Sequence, residues 1–187
     1  SRFSGTSFEE INAGERILAL VPGSGGKLGA ATQNPMLISE DGQLHCIWNE
    51  SQEPGFHVKA LARADDGGCW IAGNGRVRLF KDGRPQETRG VIEGKDAAIL
   101  GFLEDREGSL WLGTYGEGVV ILDANGGVKR LAREQGLPSN LVRCLFEDRE
   151  RNIWVGMEGR GLARIRRAMF ASYGSTEGMS DETVLCA

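Results

Sequence analysis

LEDREGSLWLGTYGEG spans Leu103 to Gly118, and 43 positions on from its start FEDRERNIWVGMEGRG spans Phe146 to Gly161. Two near-copies at a fixed spacing mark a repeat architecture. Anchoring the copies on Trp111 and Trp154 extends the series backwards. Trp70 lies 41 positions before Trp111, and Leu28 lies 42 before Trp70. Other columns keep step. Gly25, Gly67 and Gly108 stand three before the anchor, with Arg151 in the last copy. Ala30, Ala72, Gly113 and Gly156 stand two after it, and Val58, Ile99 and Val142 stand twelve before it. Forwards, GLPSNLVRCL (Gly136 to Leu145) returns 42 residues later as GMSDETVLCA (Gly178 to Ala187). The chain divides into repeats at 13–55, 56–96, 97–139 and 140–182, with 183–187 opening a further one.

Inside a repeat the apolar residues alternate with period two, which specifies strands. Val142, Cys144 and Phe146 are expected on one face, with Arg143, Leu145 and Glu147 on the other. A polar turn (DRERN) leads to the apolar run Ile153 to Met157. A Gly-rich break at 158–161 leads to Leu162–Arg166, and a last run covers Phe170–Tyr173. Four short strands in about 42 residues predict an all-β fold of propeller blades, each a four-stranded antiparallel sheet. Helical repeats are excluded by the short segments between breaks and by 28 glycines in 187 residues.

The tryptophan explains why the copies need one another. On the second strand of a blade it can pack against the next blade. Burying it removes roughly 150–250 Å² from water, an upper estimate of about 4–6 kcal/mol. Small residues two positions on (Ala72, Gly113, Gly156) let that neighbour approach. Ala60, Gly101, Cys144 and Cys186 form one innermost column, suited to a crowded axis.

The ends read as an arc cut from a longer ring. Glu15–Leu20 is expected to be the first blade's inner strand, and Phe3–Ile11 the outer strand of a preceding blade. Thr183–Cys186 is an inner strand without a sheet. Such an arc exposes two apolar faces, so neighbouring blades or a second copy are expected to complete it, as in a homodimer, or the terminal blades order poorly.

A net charge of −4 and a pI of about 5.3 disfavour nucleic acid as a partner. The cluster Arg164, Arg166 and Arg167 reads as a solvated edge. No apolar run approaches the length of a membrane helix, and no leader is visible. Cys46, Cys69, Cys144 and Cys186 include no CxxC pair, and buried free thiols are expected. GSGGKLG (Gly23 to Gly29) lacks the first glycine and the Lys-Ser/Thr of a phosphate loop and reads as a turn. His45 and His57 stand in no zinc spacing, and EDREGS and EDRERN lack the ligand density of a calcium loop. No metal and no cofactor is expected.

GLPSNLVRCLFEDRERNIWVGMEGRGLARI resembles the two-component regulator propeller repeat, whose pattern runs approximately LPsN.V..i.eDr.GnlWiGT.gGGl.r. The segment Leu103–Leu122, with WLGT and the pair Gly116 and Gly118, is similar too. The copy around Trp70 matches more loosely, and the copy around Leu28 lacks the tryptophan. The resemblance implies a part of a seven-bladed ring in the periplasmic sensing portion of a membrane-bound bacterial regulator. It further implies an output kinase or nucleotide cyclase outside this chain and a carbohydrate or other small-molecule ligand.

Propellers bind mostly at the face where second-to-third-strand loops meet the loops between blades. The candidates there are Asn74, Arg76, Tyr115, Glu117, Ser139, Asn140, Glu158 and Arg160. An aromatic ring beside carboxylates and guanidinium groups suits a sugar or a short acidic ligand. The leading expectation is a non-catalytic ligand-sensing or protein-interaction module. The alternatives are a fragment of a propeller glycosidase or lyase, which needs converging carboxylates or histidines, and a plain scaffold of the WD40 or kelch kind.

Overall fold

A computed structural model describes residues 2–4, 7–9, 16–22, 28–32, 36–40, 43–48, 56–66, 68–81, 84–92 and 98–166. Strands β1 (Arg2–Ser4) and β2 (Ser7–Glu9) form a hairpin. Blade one holds β3 (Ala19–Pro22), β4 (Leu28–Ala31), β5 (Met36–Glu40) and β6 (Gln43–Trp48). Blade two holds β7 (Ala60–Arg63), β8 (Cys69–Gly73), β9 (Arg76–Lys81) and β10 (Arg84–Val91). Blade three holds β11 (Ile99–Glu104), β12 (Leu110–Thr114), β13 (Val119–Leu122) and β14 (Val128–Leu131). Blade four holds β15 (Val142–Glu147), β16 (Ile153–Met157) and β17 (Gly161–Ile165). Each sheet is an antiparallel meander in chain order, which short strands joined by tight turns favour over crossovers. The fourth strand expected at Phe170–Tyr173 and the blade opening at 183–187 lie outside the described residues.

The core lies between sheets rather than within one. Val21 and Ala31 of blade one meet Val58, Ile71 and Phe80 around blade two. Trp70 and Ala72 of blade two meet Leu110, Leu112, Val120 and Leu122 of blade three. Trp111 and Val119 of blade three meet Leu137, Val142, Ile153 and Val155. Trp70 and Trp111 therefore face the following blade, as expected, at 6% and 3% exposure. The small residue two positions on does what its size allows. A Cβ added to Gly113 would stand 2.5 Å from Cγ1 of Val142, so only glycine admits that contact. A Cβ on Gly101 would stand 3.2 Å from Cα of Cys144, which shows how closely the inner strands converge.

A second tie joins the blades. Glu104, at the end of β11, accepts the Asp65 N–H of blade two at 2.9 Å. Glu147, at the end of β15, accepts the Arg106 N–H of blade three at 3.1 Å. Each carboxylate takes up a turn amide that the preceding blade cannot satisfy by its own ladder.

Four expectations need correction. The inner strands do not alternate cleanly: a bulge falls between Val142 and Cys144, and another between Ile99 and Gly101. The extra residue reverses the phase. Val142 and Leu145 thus both face blade three, while Cys144 and Phe146 line the other face.

The first blade is misaligned by one residue in the sequence reading. Trp70, Trp111 and Trp154 each pair with the residue eight positions earlier (Ala62, Leu103, Phe146), and in blade one that relation belongs to Val21 and Gly29. Gly29 rather than Leu28 therefore occupies the tryptophan column, and Ala31 matches Ala72. Leu28 stands at the 42-residue step, and without the indole that spacing does not fix register. The inner strand also lies later than expected, at Ala19–Pro22 rather than Glu15–Leu20. At the N-terminus, two short paired strands replace the single strand expected at Phe3–Ile11, with Gly5 and Thr6 between them in sequence. Finally, Cys46 and Cys144 are exposed, and Cys69 alone of the described cysteines is largely enclosed. Burial pushes the Cys69 thiol up to about 12.

Candidate ligand-binding face

The blades present two ends. At one end, the first two strands of each blade are joined by an Asp-led turn. Asp105 accepts the N–H groups of Glu107 and Ser109 at 3.0 and 2.8 Å through Oδ1, and the Trp111 indole N–H at 2.7 Å through Oδ2. Asp148 repeats this with the Asn152 amide, its side chain and the Trp154 indole at 2.8, 2.8 and 2.7 Å. Desolvation works against the Asp148 carboxylate, but the bonds from Asn152 and Trp154 outweigh it and lower its pKa. The repeated acidic turn thus holds a hairpin and an indole. Among the described residues, no group of three or more His, Cys, Asp or Glu side chains could hold a metal ion.

In blade two, Ala64 stands where Asp105 and Asp148 stand, and the buried Trp70 indole N–H has no hydrogen-bond partner. Arg89 of β10 lies over that ring, 5.0 Å from its centroid. Its Nη2 donates to the Gly108 carbonyl at 2.5 Å, and its Nη1 stands 4.0 Å from Glu104 Oε1. The guanidinium adds a cation–π contact on the ring face but accepts nothing, so the indole N–H stays unpaired.

The opposite end carries the predicted candidates. Asn74, Tyr115 and Glu158 each stand four after the anchor tryptophan, so they occupy equivalent places in three blades. The structure divides the eight candidates into two groups. Ser139 and Asn140 are consumed by the fold. Ser139 is buried, and its Oγ accepts the Leu141 N–H at 3.1 Å. Asn140 accepts the Arg133 N–H through Oδ1 at 2.8 Å and the N–H groups of Gly116 and Gly118 through its carbonyl, both at 3.0 Å. Asn74 sits at φ 46 and accepts the His57 N–H at 3.3 Å, the local service for which asparagine is suited. Their polarity is structural, because loop backbone has no ladder partner and must find one.

The second group faces solvent. Tyr115 is 55% exposed, and Arg76 and Arg160 are exposed. Glu117 pairs with Arg130 at 2.9 Å, and Glu158 pairs with Arg143 at 2.8 Å. Arg143, on the inner strand β15, was missed in the sequence reading. Its pKa is raised first by Glu158, and the Tyr115 hydroxyl lies within electrostatic reach. Tyr115 is held in place by a bridge to Leu141, and Glu158 donates its N–H to the Leu141 carbonyl at 3.0 Å. One inter-blade segment thereby gathers Tyr115, Arg143 and Glu158 from two blades. The column containing Lys59, Leu100 and Arg143, eleven before the anchor, was the available signal.

A cleft of about 600 Å³ opens at the turn end of blade four, lined by Glu107, Glu150, Arg151, Trp154, Arg164 and Arg166 among others. Arg164 lies over the Trp154 ring at 5.7 Å, so it is a stacked residue as well as an edge charge. It occupies the cross-strand position that Leu79 and Ile121 hold beside the other two tryptophans.

Residues 93–116 and 136–159 match the family profile described as two component regulator propeller. No curated protein sequence matches this chain. Among solved structures, the extracellular domain of a candidate hybrid two-component system from B. thetaiotaomicron superposes with a TM-score of 0.64 at 20% identity, over 90% of this chain and 24% of that one. A virginiamycin B lyase from Staphylococcus aureus, crystallised in inactive form with quinupristin, gives 0.61 at 12% identity, over 84% of this chain and 58% of the lyase. YCF48 from Cyanidioschyzon merolae gives 0.61 at 13%, over 79% and 50%. These likenesses establish the fold, a part of a β-propeller. The chain spans about a quarter of the sensor ectodomain's length.

Proposed function

From the match of residues 93–116 and 136–159 to the two component regulator propeller family, we propose that this chain is a non-catalytic, signal-receiving segment of an extracytoplasmic bacterial sensor propeller. On this reading its ligand meets the loop face at Tyr115, Arg143, Glu158 and Arg160. The observation that carries the proposal is the solvent-facing grouping of Tyr115 with the Arg143–Glu158 pair, which one inter-blade segment assembles from two blades. A phenol ring supplies an apolar face for a sugar ring, and the paired charges supply donors and acceptors for its hydroxyls or a uronate carboxylate. Binding there would bear on two blades at once, which gives a receiving domain a means of passing the event to an output domain outside this chain.

The test is titration calorimetry with neutral and uronic-acid oligosaccharides against the chain and its Tyr115→Ala and Arg143→Ala variants. We expect one class to bind, with at least a tenfold loss in each variant at unchanged thermal stability. Binding that survives both substitutions would move the site elsewhere.

A further inference from the structure

Three columns of the repeat change to arginine in blade four. The turn position three before the anchor tryptophan reads Gly67, Gly108 and then Arg151. Across the sheet from the tryptophan stand Leu79, Ile121 and then Arg164. Two residues further on come Lys81, Asp123 and then Arg166. Residues two apart on an extended chain share a face, so Arg164 and Arg166 are neighbours. All three arginines are exposed, and all three line the cleft of about 600 Å³ beside Trp154. A cleft of that size falls within the range of small-molecule sites.

The carboxylates of the cleft do not satisfy these cations. Asp148 spends both oxygens on Asn152 and the Trp154 indole. Glu150 and Arg166 occupy the places of Asp66 and Lys81, which are joined at 2.8 Å in blade two. Yet among the described residues neither Arg164 nor Arg166 pairs with a carboxylate. Stacking over the Trp154 ring at 5.7 Å fixes the plane of the Arg164 guanidinium and leaves its N–H groups to donate. Arg151 holds φ 63, a strained conformation that glycine would take freely, and its contact with Glu107 at 3.9 Å in solvent offsets little of that. A strained residue kept beside a cleft points to a use there. The corresponding space in blade three stays open with a blade behind it. A cleft of about 380 Å³ beside Trp111 is lined by Glu107, Ile121, Asp123 and Lys129, although Trp111 is clustered with Ile153 and Val155 of blade four.

We propose that the cleft beside Trp154 is a second binding site, for a small ligand carrying a tetrahedral oxyanion, phosphate or sulfate. Arg164 and Arg166 donate to its oxygens, and Arg151 adds a third positive charge from the turn. Guanidinium groups suit this chemistry because each offers several N–H donors in one plane. The half-buried Trp154 ring supplies an apolar wall for the rest of the ligand. In blade three the place of Arg166 is taken by Asp123, whose charge would repel the same ligand. The site lies at the end of the blade opposite Tyr115 and does not rest on the proposed sugar site.

Titration calorimetry of the full chain with phenyl phosphate, phenyl sulfate and inorganic phosphate tests it. The expected result is saturable binding of one oxyanion per chain. Arg164→Gln and Arg166→Gln should each weaken it roughly tenfold or more, at unchanged thermal stability. Arg151→Gly should weaken it while raising the unfolding midpoint, which a purely structural role for Arg151 would not do. Arg84→Gln removes the same charge from exposed Arg84 of blade two and should leave binding unchanged. An ester that binds more tightly than inorganic phosphate identifies the ligand as an ester, and equal affinities identify it as the free ion. Absence of saturable binding by all three probes overturns the proposal. So does an equal loss in Arg84→Gln, which would assign the binding to diffuse surface charge.

Discussion

Trp70, Trp111 and Trp154 stand in one column and differ in what meets the indole N–H. Asp105 and Asp148 accept two of them at 2.7 Å, while Trp70 has none. A buried donor without a partner costs about 1–3 kcal/mol, and a bond to a charged acceptor contributes about 1.5–3 kcal/mol. The same substitution should therefore behave differently in two places. Trp111→Phe removes a charge-assisted bond, whereas Trp70→Phe removes an orphan donor and so offsets part of the ring volume it loses. Urea unfolding should show Trp111→Phe costing about 2 kcal/mol more than Trp70→Phe. Equal costs would mean that the carboxylate contributes nothing through the indole. The sequence shows Asp105 and Asp148 plainly, but spacing alone reads them as turn formers. That they also hold the indole six residues on depends on how the hairpin folds back, which only the structure displays.

At the scale of the strand and its turn, the hairpins of blades three and four need one residue in the left-handed region. Blade three places Gly108 there at φ 76, and blade four places Arg151 at φ 63. An L-residue in that region costs roughly 1 kcal/mol that glycine does not. Arg151 recovers little from Glu107, because their charges stand 3.9 Å apart in solvent. Arg151→Gly is thus expected to raise stability by about 0.5–1 kcal/mol, and Gly108→Ala to lower it by about 1 kcal/mol, both read as shifts in the denaturation midpoint. Much of this level was legible in sequence. Repeat length, strand number and the turns follow from the period-two pattern and the glycines. What stayed hidden was phase. The bulge between Val142 and Cys144 inserts one residue without any turn former to announce it. In blade one the tryptophan that marks register elsewhere is missing, so the 42-residue spacing points to Leu28 where Gly29 belongs. At the loop face the sequence is ambiguous for a third reason. Ser139, Asn140 and Asn74 have the polarity of a binding site but spend it on backbone partners, and composition cannot tell the two uses apart.

For the whole molecule, stability resides between sheets. Gly113 and Val142 meet across the junction of blades three and four, and Val142 is fully buried. Gly113→Val would drive a side chain into a neighbour that cannot withdraw, at a cost of about 1–3 kcal/mol or more. Val142→Ala alone leaves a cavity, at about 0.5–2 kcal/mol. Combined, the two should cost at least 1 kcal/mol less than their sum, since each relieves the other. Simple additivity in the double-mutant cycle would show that the blades do not meet through this pair.

Trp70 and Trp111 point round the arc in one sense, each from its own blade toward the blade that follows it in the chain. The arrangement gives the arc a direction of growth. Synthesis proceeds from the N-terminus, so each of these two tryptophans emerges from the ribosome before the surface that covers it. Trp70 waits for Leu110 and Leu112, and Trp111 for Val142 and Val155. A nascent chain of this kind always carries one wet indole at its growing edge, and halting translation between blades would leave that edge open to whatever apolar surface arrives first.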